Sequence, residues 1–279
     1  MTEAGDAGDP PGRALARGST AEVRVLAGGR VLKLFKAHIP AEQVTAETAA
    51  LSRAHVAGLP VPAVYGSGRY AGRQTLTLEE LTGPSALRAL ARRPHALPRL
   101  LARMADLQVR LNALPGDDLP DQTQRIRAAI DRADLPVALR QAVLSRLATA
   151  GEGGALCHGD FHLGNLVVQA GTLYVLDWDK ACRGAPAADA ARTAVMLRDG
   201  KLGGIADTRL AEPVRAVLAR AYVRAYVRAY KRVQRDGGIA ADIASEIAWW
   251  LPVATAAKLP FIAPGRRRRV LNRLARMLE

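Results

Sequence analysis

The sequence predicts an α+β protein with two lobes, a small strand-rich lobe followed by a larger and mainly helical one. The chain has 279 residues, which is enough for one large domain or for two lobes around a cleft. Hydrophobic residues make up 49% and charged residues 24%, an ordinary globular composition. Strand-like runs dominate before Gly83-Pro84, whereas helical spacing of apolar residues dominates after it.

Residues 1–14 are predicted to be a disordered lead-in, and residues 15–82 are predicted to form the small lobe. Two strands joined by a glycine turn are expected first, followed by a helix that Gly58 and Pro60 end. Two more strands, separated by a glycine-rich stretch, complete this lobe. The predicted ranges are 21–26 and 30–35 for the first strands, 41–56 for the helix, and 61–65 and 74–78 for the last strands.

Residues 83–279 are predicted to form the larger lobe. A helix over 97–114 carries Leu100, Met104 and Leu107 on one face, and residues 124–149 indicate another helix or a pair of helices. A short β-rich segment is expected at 155–178. The rest of the chain again has mostly helical spacing.

The composition also bears on the compartment and the partner. There are 40 Lys and Arg against 26 Asp and Glu, a net charge of +14. A polyanionic partner would explain this excess, but a solvated arginine-rich surface is the favoured explanation. Two cysteines exclude a disulfide framework and fit a reducing compartment. No apolar run reaches the ~20 residues that span a bilayer, and the N-terminus lacks the apolar core of a signal peptide. A soluble cytoplasmic protein is expected.

The most informative segment is 157–168, Cys-His-Gly-Asp-Phe-His-Leu-Gly-Asn-Leu-Val-Val, followed at 173–179 by Leu-Tyr-Val-Leu-Asp-Trp-Asp. Asp160 and Asn165 have the Asp-x-x-x-x-Asn spacing of a kinase catalytic loop. In such a loop a carboxylate orients the incoming hydroxyl, while oxygen ligands hold Mg²⁺ on the nucleotide phosphates. The two apolar runs around Gly171 are expected to pair as a hairpin. This hairpin would bring Asn165 and Asp177 to one rim of a cleft.

Simpler explanations exist for the individual residues. His158 and His162 are four residues apart, as in some zinc sites, but Gly159 breaks a helix there and no third ligand follows nearby. Asp177 alone, at the end of a strand, is typical of a turn or cap. The ordered combination of these residues favours phosphoryl-transfer chemistry.

The segment resembles the aminoglycoside phosphotransferase and choline kinase superfamily, whose members are relatives of protein kinases. The resemblance extends over most of the chain, from about Arg17 onward, and implies a protein-kinase-like two-lobed fold. It implies that Asp160 is the catalytic base and that Asn165 and Asp177 are Mg²⁺ ligands. It also implies that His158 shapes the catalytic loop and that Asp189 is a structural residue beside it. A helix N-cap is the alternative role for Asp189.

The same resemblance assigns residues of the small lobe to the nucleotide ATP. Ser19 and Thr20 lie in a short turn that would cover the phosphates. Lys33, in an apolar strand, would pair with the phosphates, and Glu47 on the next helix would hold Lys33 extended, a surface glutamate being the alternative. Backbone groups of Glu79 and Leu81 would hold adenine in a hinge near 79–83.

The sequence therefore predicts an ATP- and Mg²⁺-dependent phosphotransferase that moves the γ-phosphoryl group to a hydroxyl of a small molecule. Two alternatives remain open. One is a catalytically weak nucleotide-binding pseudokinase with a regulatory role, which the presence of all four key residue types disfavours. The other is a basic nucleic-acid-binding protein, which only the net charge supports.

The acceptor itself is expected not to be a polycation. Residues 190–279 contain 18 Lys and Arg against 7 Asp and Glu, and this part of the chain helps to build the acceptor pocket in the superfamily. A positive field repels polyamines and favours neutral or anionic hydroxyl compounds. A nucleic acid is not expected, because the arginines spaced every four residues over 220–232 alternate with tyrosines expected to pack inward.

Overall fold

The computed structural model describes residues 10–200, 212–234 and 242–279, which form two lobes. The N-terminal lobe contains an antiparallel five-stranded sheet of order β1-β2-β3-β5-β4 and one long helix. Its elements are β1 (Arg13–Arg17), β2 (Ala21–Leu26), β3 (Arg30–Phe35), α1 (Ala41–Val56), β4 (Val64–Tyr70) and β5 (Arg73–Glu79).

The first hairpin and the helix match the predicted ranges. Gly28 and Gly29 both have positive φ, which the tight β2–β3 turn requires and which a side chain would oppose. Strand β1, however, begins at Arg13, inside the segment predicted as a disordered lead-in. It is held there because it pairs with β2, and because the Arg24 side chain donates to the carbonyl of Gly12 at 3.0 Å. Residues 1–9 of that prediction lie outside the described residues.

Strand β4 also differs from its prediction at 61–65, since it runs over Val64–Tyr70 and includes Gly66 and Gly68. The tight turn comes later, at Ala71 and Gly72, both with positive φ. Strand β4 is the last strand of the sheet, and most of its residues are exposed. An edge strand of this kind needs no apolar alternation, so the glycines did not interrupt it.

The C-terminal lobe is mainly helical. Two two-stranded sheets accompany the helices, β6 with β9 and β7 with β8, and the predicted hairpin is confirmed as β7–β8. The elements are α2 (Ala86–Arg92), α3 (Leu97–Asn112), α4 (Gln122–Asp131), α5 (Val137–Ala148), β6 (Ala155–Cys157), β7 (Leu166–Gln169), β8 (Thr172–Val175), β9 (Cys182–Gly184), α6 (Pro186–Asp199), α7 (Glu212–Gln234), α8 (Ile243–Lys258) and α9 (Pro264–Leu278).

Helix α7 confirms the expected arrangement of its tyrosines and arginines. Tyr222 and Tyr226 are fully buried against the core, whereas the arginines four residues apart on the same helix are exposed. Burial of the tyrosine rings anchors the helix, and the guanidinium groups remain in water. Over the described ranges, no helix is long and apolar enough to cross a membrane.

Candidate active site

The loop between β6 and β7 positions Asp160. Gly159 has φ of +71°, and a Cβ atom there would lie 2.4 Å from the carbonyl oxygen of Lys180. Glycine is therefore required for the chain to turn at this point. The Asn165 side-chain amide donates to the Asp160 carbonyl at 3.0 Å and lies 3.4 Å from its Oδ2. The five-residue spacing thus closes the loop into a ring, and the Asn165 Oδ1 remains as an acceptor.

Asp189 anchors this loop from helix α6. Its carboxylate accepts the backbone N–H of His158 at 3.2 Å and that of Gly159 at 2.9 Å. Gln108 and Asn112 of α3 donate to the same carboxylate at 2.9 and 3.2 Å. The N-cap of α6 is Ala185, with no side-chain cap, so the alternative role of Asp189 as a helix cap is wrong.

His158 fastens the loop to the hairpin. Its Nδ1 accepts the N–H of Asp160 at 3.2 Å, so its Nε2 donates to the Leu176 carbonyl at 3.1 Å. Complete burial lowers the pKa of His158, with Asp189 and Asp160 opposing that effect, which matches the neutral ring these bonds require. In the part of the chain that the structure describes, no three His, Cys, Asp or Glu side chains are grouped as metal ligands. Both ring nitrogens of His158 are also used in hydrogen bonds within the protein.

Asp177 follows β8 with φ of +59°. The N–H of Leu176 donates to the Asn165 carbonyl at 2.8 Å, which brings Asn165 and Asp177 to the same end of the hairpin, as expected. The Asp177 side chain is 45% exposed, and its Oδ1 lies 3.1 Å from the Lys33 Nζ. This contact joins the sheet of the small lobe to the hairpin of the large lobe.

Lys33 is a buried cation between two carboxylates. Its Nζ donates to Glu47 Oε1 at 2.6 Å as well as to Asp177. Burial lowers the pKa of Lys33, but Glu47 and Asp177 outweigh burial and raise the pKa above its usual value. Glu47 is 2% exposed, so it is not a surface residue. Lys36, three residues later, is exposed.

A cavity of about 370 Å³ lies between the lobes at this point. The hinge borders it, and the N–H groups of Thr82 and Gly83 donate to Gln169 of β7, at 2.8 and 3.3 Å. The Glu79 N–H is used by the Ala63 carbonyl at 2.9 Å. The cavity brings together eight of the nine predicted site residues, namely Ser19, Thr20, Lys33, Glu47, Glu79, Leu81, Asn165 and Asp177.

Asp160, the ninth residue, lines a separate cavity of about 590 Å³ that we term the acceptor-side cavity. Asn165 connects the two cavities, because it lines the first and bonds to Asp160. Lys180 Nζ lies 3.1 Å from Asp160 Oδ2, and Arg192 approaches Asp160 Oδ1 to 3.8 Å. Burial raises the pKa of Asp160, but Lys180, Arg192 and His162 outweigh burial and hold it well below its usual range.

Three cations of the acceptor-side cavity escaped the sequence analysis: Lys180, Arg192 and Lys258. Lys180 carried a weak signal, since it is one of six lysines and directly follows the Asp-Trp-Asp motif. Arg192 stands one helical turn after Asp189 on α6, a spacing that could have placed it beside the loop. Lys258 carried no local signal, because only the packing of α8 brings it to the cavity.

Comparison with known proteins agrees with this geometry. The model of the phosphotransferase enzyme family, APH, matches residues 12–235, most of the chain. The chain belongs to this family, and its fold is of the protein-kinase-like type that the sequence predicts. No curated protein matches the chain at a significant level.

Solved structures resemble the whole chain at low identity. A choline/ethanolamine kinase family protein from Mesorhizobium loti is 16% identical with a TM-score of 0.62, over 99% of this chain and 90% of that one. An amicoumacin kinase in complex with AMP-PNP, Ca²⁺ and Ami is 14% identical with a TM-score of 0.58, over 95% and 87%. An aminoglycoside phosphotransferase from Streptomyces rimosus, in complex with ADP and streptomycin, is 25% identical with a TM-score of 0.54, over 91% and 93%.

Proposed function

We propose that this protein is an ATP- and Mg²⁺-dependent kinase that transfers the γ-phosphoryl group to a hydroxyl of a small molecule. The observation that carries the proposal is the connected set Lys33, Asp177, Asn165 and Asp160, which runs from the interlobe cavity to the acceptor-side cavity. Family membership supports it, as do related structures that hold AMP-PNP or ADP beside an antibiotic.

The residues at the cavity rim fit a Mg²⁺ ion. Asp177 offers a half-exposed carboxylate, and Asn165 offers a side-chain oxygen at the same end of the hairpin. Mg²⁺ prefers one or two protein oxygens together with substrate phosphates and water. Asp177 and Asn165 would hold the ion, which would neutralise charge on the nucleotide phosphates.

Lys33 would bind the phosphates, with Glu47 holding its side chain in place, while the turn with Ser19 and Thr20 covers them. Backbone groups of Glu79 and Leu81 would hold the adenine. Because the Glu79 N–H is already used by Ala63, its carbonyl is the group left for adenine. With the two proposed Mg²⁺ ligands, every predicted site residue that lines the interlobe cavity thus has a proposed role in binding the nucleotide or its metal ion.

Asp160 would orient the acceptor hydroxyl towards the γ-phosphorus. The new bond joins the acceptor oxygen to phosphorus, the bond from phosphorus to the β,γ-bridging oxygen breaks, and ADP leaves. Asp160 takes the hydroxyl proton. Since nearby cations hold its pKa low, Asp160 is a weak base, and the proton moves late, once bond formation has acidified the hydroxyl.

The test is ATP turnover with antibiotics, amino alcohols, sugars and nucleosides, with and without Mg²⁺, measured as ADP release and by ³¹P NMR of the product. Mg²⁺-dependent transfer to one class supports the kinase. Tight Mg·ATP binding without transfer to any class favours the regulatory pseudokinase. Salt-dependent retention on DNA without turnover favours the nucleic-acid-binding alternative.

The free, buried cysteines Cys157 and Cys182 support the cytoplasm as the proposed compartment.

A further inference from the structure

The acceptor-side cavity carries positive charge that phosphoryl transfer alone does not explain. Its lining contains three cations, Lys180, Arg192 and Lys258, but one carboxylate, Asp160, among the residues that the structure describes. His162 also lines it, and burial lowers the pKa of His162 to about 4 despite Asp160, so this ring is neutral near pH 7. The cavity therefore has an excess of positive charge.

Two of the three cations already have a partner. Lys180 and Arg192 both approach Asp160, and the Arg192 Nε also donates to the Gly159 carbonyl. Their place beside the reacting hydroxyl suits them to stabilise charge on the phosphoryl group in transfer. Asp179 is a second carboxylate partner, since its Oδ1 lies 3.9 Å from the Lys180 Nζ. The unbalanced positive charge of the cavity is therefore that of Lys258.

Lys258, the last residue of α8, has no such partner. Within the described ranges no carboxylate lies within 4 Å of its Nζ, and the ammonium lies over the Phe261 ring, 5.3 Å from the ring centroid. The Lys258 side chain is nonetheless partly buried, and this burial together with Arg192 lowers the pKa of the ammonium to about 8. A partly buried ammonium without an anionic partner is energetically unfavourable unless a bound ligand supplies the anion.

Lys258 belongs to the acceptor rather than to the nucleotide. Of the described residues, those lining its cavity all come from the C-terminal lobe, and none of those lining the interlobe cavity comes from α8. Apolar side chains, among them Met196, Phe261 and Ile262, line the rest of the wall. The volume of about 590 Å³ is that of a small-molecule site.

We propose that the acceptor carries its own anionic group, a carboxylate or a phosphate, which Lys258 and Arg192 bind while the hydroxyl meets Asp160. The inference rests on the proposed kinase function, which supplies the need for an acceptor in this cavity. Carboxylate and phosphate share the chemistry that an ammonium and a guanidinium recognise.

Calorimetry tests the anion site without any need for turnover. Inorganic phosphate and malonate represent the two anions, and tetramethylammonium chloride at equal ionic strength is the cation control. We expect both anions to bind, with a dissociation constant about tenfold higher in Lys258→Met and nearly unchanged in Lys258→Arg. The exposed Lys231→Met is the matched control, and Lys33→Met removes phosphate binding in the interlobe cavity. Anion binding that is unchanged in Lys258→Met, or lost in Lys33→Met, would overturn the anion site.

Phosphoryl transfer to matched three-carbon acceptors tests the kinase separately. Glycerol is neutral, glycerate carries a carboxylate and glycerol 1-phosphate carries a phosphate, and choline is the cationic comparison. We expect the KM of the better anionic acceptor to rise about tenfold in Lys258→Met, and the KM of glycerol to stay within about twofold. Transfer to glycerol or choline in preference to both anions would overturn the inference and leave the kinase standing. Absence of transfer to any acceptor counts against the kinase, while the calorimetry still decides the anion site.

Discussion

Single charges decide what each side chain of this site can do. Asp160 stays ionised because Lys180 and Arg192 outweigh the effect of its burial, which suits it to its proposed roles of orienting a hydroxyl and accepting its proton. Lys33 stays protonated because Glu47 and Asp177 face it. Lys258 lies near cations instead, and its charge is the one that is easily lost.

Asp160→Asn is expected to lower turnover by ~10²–10⁴-fold, because the amide can no longer accept the hydroxyl proton. Mg·ATP binding should stay close to wild type, since Asp160 lines the acceptor-side cavity. Steady-state kinetics and calorimetry on the same preparation measure the two effects. A variant that kept half of the wild-type turnover would refute the role of Asp160.

Asp177→Ala is expected to weaken Mg·ATP binding by about tenfold or more, because Mg²⁺ would lose its one carboxylate ligand. Asp179→Ala should matter less, since Asp179 is buried and its Oδ1 lies 3.9 Å from the Lys180 Nζ rather than at the half-exposed rim where Asp177 lies. Calorimetry with Mg·ATP on both variants compares them. Equal losses would contradict the assignment of Asp177 as the ligand.

The kcat/KM for an anionic acceptor is expected to fall as pH rises through about 8. The lowered pKa of Lys258 means that its ammonium loses the proton, and its charge, in this range. Asp160, His162, Lys180 and Arg192 line the same cavity as Lys258. The pKa of Asp160 is held well below its usual range and that of His162 is lowered to about 4, so neither group titrates near pH 8. Asp199, also nearby, is paired with Arg273.

The control for this pH effect is Lys258→Arg. A guanidinium stays protonated over the whole range, so the decline above pH 8 should disappear or move to higher pH. A pH profile of kcat/KM on both proteins with the same acceptor makes the comparison. An identical decline in the two proteins would show that another group titrates.

Among the helices, a polar cluster centred on Asp189 joins α3, α6 and α7 to the loop between β6 and β7. Gln108 and Asn112 of α3 donate to Asp189 and accept from the hydroxyls of Tyr222 and Tyr226 of α7. The cluster is fully buried, so each donor depends on its partner. Gln108 and Asn112 thus help to hold the loop between β6 and β7 in place.

Asp189→Ala is expected to destabilise the protein by ~3 kcal/mol, because several buried donors lose their acceptor together. The melting temperature should fall by about 6–12 °C, at ~2–4 °C per kcal/mol for a domain of this size. Asp106→Ala, which breaks an exposed pair with Arg232, is the control and should cost less than ~1 kcal/mol. Calorimetric melting of the three proteins is the measurement. Equal falls in melting temperature in the two variants would contradict the proposed anchoring role of Asp189.

The whole molecule is strongly cationic, and the charge is concentrated in its second half. Residues 190–279 contain 18 Lys and Arg against 7 Asp and Glu. Much of this charge is solvated, as on the exposed face of α7, but part of it reaches the acceptor-side cavity through Arg192 and Lys258. The electrostatic potential is therefore positive both in the acceptor-side cavity and at the surrounding surface.

Kanamycin is expected to be a poor acceptor for this reason, with kcat/KM below ~10⁴ M⁻¹s⁻¹, under the usual range of enzymes. An aminoglycoside with several ammonium groups needs carboxylates around it, and the described lining of this cavity offers Asp160 alone. Steady-state kinetics with kanamycin and with a neutral or anionic acceptor compare the two classes. Efficient phosphorylation of kanamycin would contradict both the charge argument and the anion site.

Features that depend on short stretches of chain could be predicted from the amino-acid sequence. The first hairpin, α1 and the β7–β8 hairpin follow from apolar periodicity and glycine turns, and the Asp160–Asn165 spacing closes a loop within five residues. Lys33 and Glu47 are also close in sequence, so strand and helix phase sufficed to pair them. The observed ranges of β1 and β4 differ from the predicted ones. Both strands are mostly exposed, so their backbone pairs with a neighbouring strand although their side chains show no apolar pattern.

Which side chains from distant parts of the sequence lie together could be seen only in the tertiary structure. Tyr226 and Asn112 are 114 residues apart in sequence, and Lys258 lines the same cavity as Asp160 because α8 packs against α6. Periodicity reports which face of a helix is buried, but it does not report which helices meet or at what angle. That depends on how all side chains fill the core at once. For this reason the residues proposed to bind the nucleotide could be predicted from the sequence, while the cations of the acceptor-side cavity could not.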